Sequence, residues 1–199
     1  MKQAEPRHST LARVVTKVFA PALLVIALPL AVGVATRGWV GFWWGLFAAM
    51  CGGVPSALIY AGARSRPFTA RHDGKRGLRT SLIWSFVGLV VASLTLLLVF
   101  GPPHTMVVTV AIMLAIVLFI GPITGSWKIS VHTAVAFASV VVLSNVWPTV
   151  PVYAIGSATT ALIGWSRVRL GDHTPAQVTY GALAGGFIAW LTIYWLGWS

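Results

Sequence analysis

The sequence predicts an all-α fold, a polytopic transmembrane helical bundle of about seven spans, forming one domain over residues 18–199 behind a basic segment, 1–17. Three observations predict it. Of 199 residues, 57% are hydrophobic and only 9% charged, against about 25% charged in soluble domains. Apolar runs of roughly 20 residues, the length that crosses a hydrocarbon core of about 30 Å as a helix, follow one another with short polar gaps. Ten tryptophans are present, and Trp39, Trp43, Trp44, Trp195 and Trp198 fall near the ends of those runs, where an amphipathic ring suits the headgroup interface.

The elements follow in order. The run after Lys17 has the outline of a signal sequence, but no small-residue cleavage site follows and the run is long enough to span, so 18–36 is the first span. Further apolar runs give spans at 40–62, 80–100 and 105–124. The next two, 131–147 and 149–165, are short and meet at "SNVWPT", where Trp147 and Pro148 suit an interfacial turn, so they form a hairpin. The last span, 176–198, carries Gln177, Gly181 and Gly185 at helical spacing, a stripe of small residues that turns Gln177 toward the bundle interior.

With seven spans, thirteen of the fourteen Lys and Arg residues lie on one side of the membrane and only Arg37 on the other. The positive-inside rule makes the crowded side, with the N-terminus, cytoplasmic, and the protein a multi-pass component of the cell membrane. The net charge of +11 does not imply nucleic acid, because the cations sit in short segments between apolar runs and form no solvated basic face. Only three acids occur, Glu5, Asp73 and Asp172, so carboxylate-clustered Mg²⁺ or Zn²⁺ chemistry lacks ligands and a buried acidic proton relay is disfavoured. No metal or other cofactor is expected. The single cysteine, Cys51, permits no internal disulfide.

Polar residues concentrate in two segments on the crowded side. In "GSWKISVHTA", Ser130 is a candidate N-cap, Val131 and His132 open the helix, and Lys128 stands just outside. In "DHTPAQ", Thr174 is a candidate N-cap, Pro175 suits the first helical position and His173 comes immediately before. Two histidines therefore sit at two helix N-termini, each a natural anion site, with Arg167 and Arg169 at the exit of the preceding span. Two imidazoles and cations without paired carboxylates suit phosphoryl transfer through a phosphohistidine: one ring attacks phosphorus, the other protonates the leaving oxygen, and cations hold the remaining oxygens. Singly, each residue reads more readily as a cap, an interfacial anchor or a headgroup-level polar group; it is their concentration in two adjacent segments that favours chemistry.

At these residues the chain resembles the type 2 phosphatidic acid phosphatase superfamily of membrane lipid phosphatases. That family's third motif reads S-R, five residues, H, three residues, D; here Ser166, Arg167 and His173 match and Gln177 stands in the last place. Its second motif, P-S-G-H, appears as Ile129, Ser130, Val131 and His132. The phrase "WSRVRLGDHTPAQVTYG" is similar to an actinobacterial branch. The resemblance implies a six-helix phosphatase core plus one N-terminal helix, with His173 as nucleophile and His132 as general acid and then base. It makes Arg167, Ser130, Ser166 and backbone N–H groups the phosphate ligands. The family's aspartate orients the nucleophile; Gln177 brings no charge, and Asp172 is the candidate to compensate. The first motif is unmatched, leaving Lys128, or Arg71, Lys75 and Arg76 from "RSRPFTARHDGKRGLR", as replacement cations. The substrate implied is a lipid monophosphate or diphosphate, isoprenoid or polyprenyl-linked before phospholipid, its tail entering laterally between helices. A binding or assembly relative of weak activity is the alternative, and phosphatase and phosphotransferase are not separated.

Overall fold

The computed structural model describes residues 7–64, 88, 91–92 and 94–198, and is helical throughout, with no strand among the described residues. Six helices are delimited: α1 (Arg7–Val18), α2 (Pro21–Arg64), α3 (His104–Ser126), α4 (Val131–Leu143), α5 (Thr149–Arg169) and α6 (Pro175–Leu196). Stretches Pro21–Met50, His104–Gly121 and Pro175–Leu196 are long and apolar enough to cross a membrane, the last two as single helices and the first folded back on itself at residues 37–38. Most of the expected span 80–100 lies outside the described residues; 94–99 within it is helical.

The segment α2 is two helices, one for each of two expected spans, joined at a sharp break. At Arg37 (φ −139°, ψ 18°) and Gly38 (φ 57°, ψ −131°) the chain leaves helical geometry, and the left-handed φ is one that only glycine takes without cost. The arms then run back antiparallel, with Gly33 against Gly41 and Gly45 against Pro29 in backbone contact. The polar dipeptide in a run of Val, Ala and Trp is the break that the sequence analysis placed between 36 and 40.

The basic N-terminal segment is more ordered than expected. Leu11, Val14, Val15 and Val18 recur at helical spacing, and residues 7–18 form α1. Ala12 and Val15 are buried and α1 packs on α5, while Leu11, Val14 and Val18 stay exposed, as in a helix lying in an interface.

The site end of the bundle is built by α4, α5 and α6. α4 makes its largest contact with α6 and its next with α5. α4 and α5 form the expected hairpin, its turn closed by Ser144 Oγ and Asn145 Nδ2, which both donate to Val141 O. α6 presents Gly181, Gly185 and Gly186 to α4. A Cβ on Gly185 would overlap the backbone of Ala134, and one on Gly181 would meet Ser130 O at 2.5 Å and Thr133 Oγ1 at 2.6 Å. The small-residue stripe thus brings the two backbones together. At the other end, His104 Nε2 is 2.9 Å from Leu196 O, so α3 begins where α6 ends. The buried core between α2, α3, α4 and α6 is aliphatic, with Val32, Met106, Ile112, Ile120 and Val142 almost fully enclosed.

Candidate active site

Two helix starts meet at the end where α4 and α6 begin. Ser130 occupies the N-cap position of α4 with extended backbone (φ −80°, ψ 103°), but its hydroxyl makes no cap bond. Its main-chain N–H is used instead across the bundle, donating to Gln177 O at 3.2 Å. Thr133, one turn on, donates its hydroxyl to Val178 O at 2.8 Å. The first turns of α4 and α6 are therefore fixed to each other by one main-chain hydrogen bond and one from a side-chain hydroxyl, with His132 on one and His173 immediately before the other.

α6 has the start that its sequence calls for. The Gln177 N–H donates to Thr174 Oγ1 at 3.3 Å and the Thr174 N–H to Gln177 Oε1 at 3.0 Å, a capping box with Pro175 inside it. The preceding turn ends α5: Gly171 (φ 72°) takes the left-handed position, its N–H donates to Val168 O at 3.0 Å, and that of Asp172 to Arg167 O at 3.1 Å. This Schellman ending reverses the chain within four residues and carries His173 from the end of α5 to the start of α6.

The His173 ring is held by main chain. Its Nδ1 lies 3.1 Å from Lys128 O. A carbonyl only accepts, so Nδ1 carries the proton and the Nε2 lone pair is free. This is the orienting service that an aspartate gives elsewhere. The Gln177 amide stands against the same ring, but the bond whose geometry is met at Nδ1 is to Lys128 O, and Gln177 Oε1 is committed to the cap. Trp127, stacked edge-on against Tyr180 of α6 at 5.2 Å, braces the loop that supplies the carbonyl. Burial, the largest influence, holds the His173 pKa below the ordinary 6.5; the bond to Lys128 O works against it, and the Arg167 and Lys128 charges add to it.

The other expected residues divide. His132, partly buried, lies within electrostatic reach of Arg167, His173 and Asp172. Arg167, only 15% exposed, pairs through Nη1 with Asp172 Oδ2 at 3.1 Å, so Asp172 serves the arginine and not the His173 ring. Two buried polar atoms have no hydrogen-bond partner among the described residues of this end, Ser130 Oγ and Arg167 Nε. Ser166 is fully buried and turned the other way: its hydroxyl donates to Ile163 O at 2.7 Å and lies 3.0 Å from Thr16 Oγ1 of α1. It joins α1 to the site helix and does not face the histidines. Lys128 and Arg169 are exposed. Arg71, Lys75 and Arg76 lie outside the described residues. What the sequence analysis missed is the Lys128 carbonyl and the anchoring of α5 by α1.

The family model of the PAP2 superfamily matches residues 38–199. The chain belongs to the PAP2 superfamily. The match takes in both histidine segments and every helix from the second arm of α2 onward. Membership carries a phosphatase-type function, and the apolar helices agree with the membrane-bound character of a PAP2 bundle. No curated protein and no solved structure matches the chain. Gln177 and Val131 are two of the places where the sequence departs from the motifs that it resembles. Val131 is accommodated because it is the first residue of α4, and no non-glycine residue described here has a positive φ.

Proposed function

We propose that the protein is a metal-independent phosphatase of a lipid monophosphate or diphosphate, working through a phosphohistidine on His173. The observation that carries this reading is the pair of buried donors without partners, Ser130 Oγ and Arg167 Nε. A buried polar group left unpaired costs about 1–3 kcal/mol, and a phosphate oxygen answers both. The N–H groups at the start of α4 point the same way along the helix dipole. His173 Nε2 attacks phosphorus and the P–O bond to the lipid breaks. His132 gives its proton to the departing oxygen, then takes one from the water that cleaves the P–N bond and releases inorganic phosphate.

An isoprenoid or polyprenyl phosphate is the preferred substrate, and phosphatidic acid or phosphatidylglycerol phosphate the next. We place the site at the cytoplasmic surface of the cell membrane, from the distribution of the cations. Gln177 in the aspartate position favours a second reading, a relative that binds lipid phosphate without cleaving it. The test is purified protein in detergent with EDTA, assayed over a panel of lipid phosphates with acid-labile phosphohistidine trapped after rapid quenching. Phosphate release with label on His173 is expected; tight binding with neither release nor label selects the second reading.

The lowered pKa of His173 gives a pH dependence with a definite sign. The neutral ring is the nucleophile, so activity is retained down to below 6.5 and lost as protonation sets in at lower pH. The substrate's second ionisation, near pH 6, falls in the same range. Lys128→Ala separates the two, because it removes a nearby positive charge and leaves the substrate unchanged. Its pH–rate profile is expected to have its acid limb at higher pH than the parent protein, with the rate at the optimum within about tenfold, since the orienting carbonyl is retained.

A further inference from the structure

A groove of about 450 Å³, lined almost wholly by apolar groups, runs between α4 and α5, with Phe19 and Leu24 from the α1–α2 corner as its third wall. Its position relative to the site follows from helical spacing. On α4, Ala136, Val140 and Leu143 line it, and they continue at intervals of three and four the stripe that begins with His132. On α5, Ile163, Thr160 and Gly156 line it, and they continue in the same way the stripe that ends with Arg167. The groove thus starts one turn beneath the imidazole of His132 and the guanidinium of Arg167. It reaches Trp147 and Pro148 at the far end of the hairpin. From Ile163 to Pro148 the helical rise is about 22 Å, well over half of a hydrocarbon core of about 30 Å.

We infer that this groove holds one hydrocarbon chain of the substrate, extended along the α4–α5 hairpin, while its phosphate lies against His132, His173 and Arg167. The inference rests on the phosphatase reading and adds to it that the chemistry selects a long single chain. Adjacency to the polar site argues for the substrate's own tail over a bulk lipid, which has no reason to end where Arg167 and the imidazoles begin. A tail already dissolved in the bilayer gains no hydrophobic energy by entering. What it gains is dispersion contact along a fixed track, and what the enzyme gains is a phosphate held at one depth and orientation. Chain length therefore governs turnover more than partitioning.

The test compares hexadecyl phosphate with hexyl phosphate in mixed micelles, on the parent protein and on Thr159→Phe and Ser139→Leu, which narrow the groove away from the histidines. Expected is a preference of tenfold or more in kcat/KM for the long chain, lost in the two variants while hexyl phosphate turns over as before. Equal losses on both substrates, or no preference in the parent protein, would overturn the inference. A hexadecyl phosphate bearing a diazirine on its terminal carbon gives a readout that needs no turnover. Adducts are expected at the Trp147–Val152 end of the groove and are expected to vanish in Thr159→Phe. Adducts there without hydrolysis would overturn the phosphatase reading and leave the groove standing; hydrolysis with adducts confined to α3 or α6 would do the reverse.

Discussion

His173→Ala is expected to abolish phosphate release, by about 10⁴-fold or more, while the protein is recovered folded from the membrane. The size follows from the role: a nucleophile that forms a covalent intermediate has no substitute in the site, and the residual rate is what oxyanion binding alone supplies. The mildness toward the fold follows from the structure. The ring is partly exposed, its one bond is to Lys128 O, and the chain reversal around it is held by main-chain bonds from Gly171 and Asp172. Elution of the variant as a single species in detergent, with the melting temperature of the parent, checks the fold; release of phosphate from a long-chain lipid phosphate checks the chemistry. Undiminished release would end the assignment of the nucleophile.

Gly185→Leu is expected to do the opposite, removing the folded protein and with it all activity. The closest neighbour of an added side chain there is the backbone of Ala134 in α4, which cannot rotate aside as a side-chain tip can. Overpacking costs about 1–3 kcal/mol and occasionally more, and a clash with backbone falls at the upper end, a large part of the stability of a domain. The helices that would separate are the two whose first turns carry the site. Loss of the monodisperse folded species at a temperature where the parent protein is stable is the measurement. A variant that folds and hydrolyses normally would mean that α4 and α6 do not pack through this stripe.

The sequence made the ends of the helices legible and their lateral partners much less so. Arg37–Gly38, Thr174–Pro175 and the Trp147–Pro148 turn announce themselves because each is a local conflict with helix or membrane, and chemistry within a few residues resolves it. The stripe at Gln177, Gly181 and Gly185 is similarly local in cause, since small residues at helical spacing have few other uses in an apolar helix. Lys128 O has no signature at all: any residue there offers the same carbonyl, and its distance from His173 is set by packing 45 residues away. Ser166 was misdirected for a related reason. Its hydroxyl faces α1, whose amphipathic spacing at Leu11, Val14, Val15 and Val18 was readable but masked by four cations in the same segment. In the site, the motif letters identify the histidines and Arg167, while the allocation of Asp172 to the arginine is a three-dimensional outcome.

The bond from the Ser130 N–H to Gln177 O has a bearing on how such a chain can change over generations. That bond is made by amide groups common to nearly every amino acid, and the side chains at 129, 131 and 177 take no part in it. Substitution at those places leaves this one bond available, and a lineage can lose part of its recognisable signature before it loses the approach of the two helix starts.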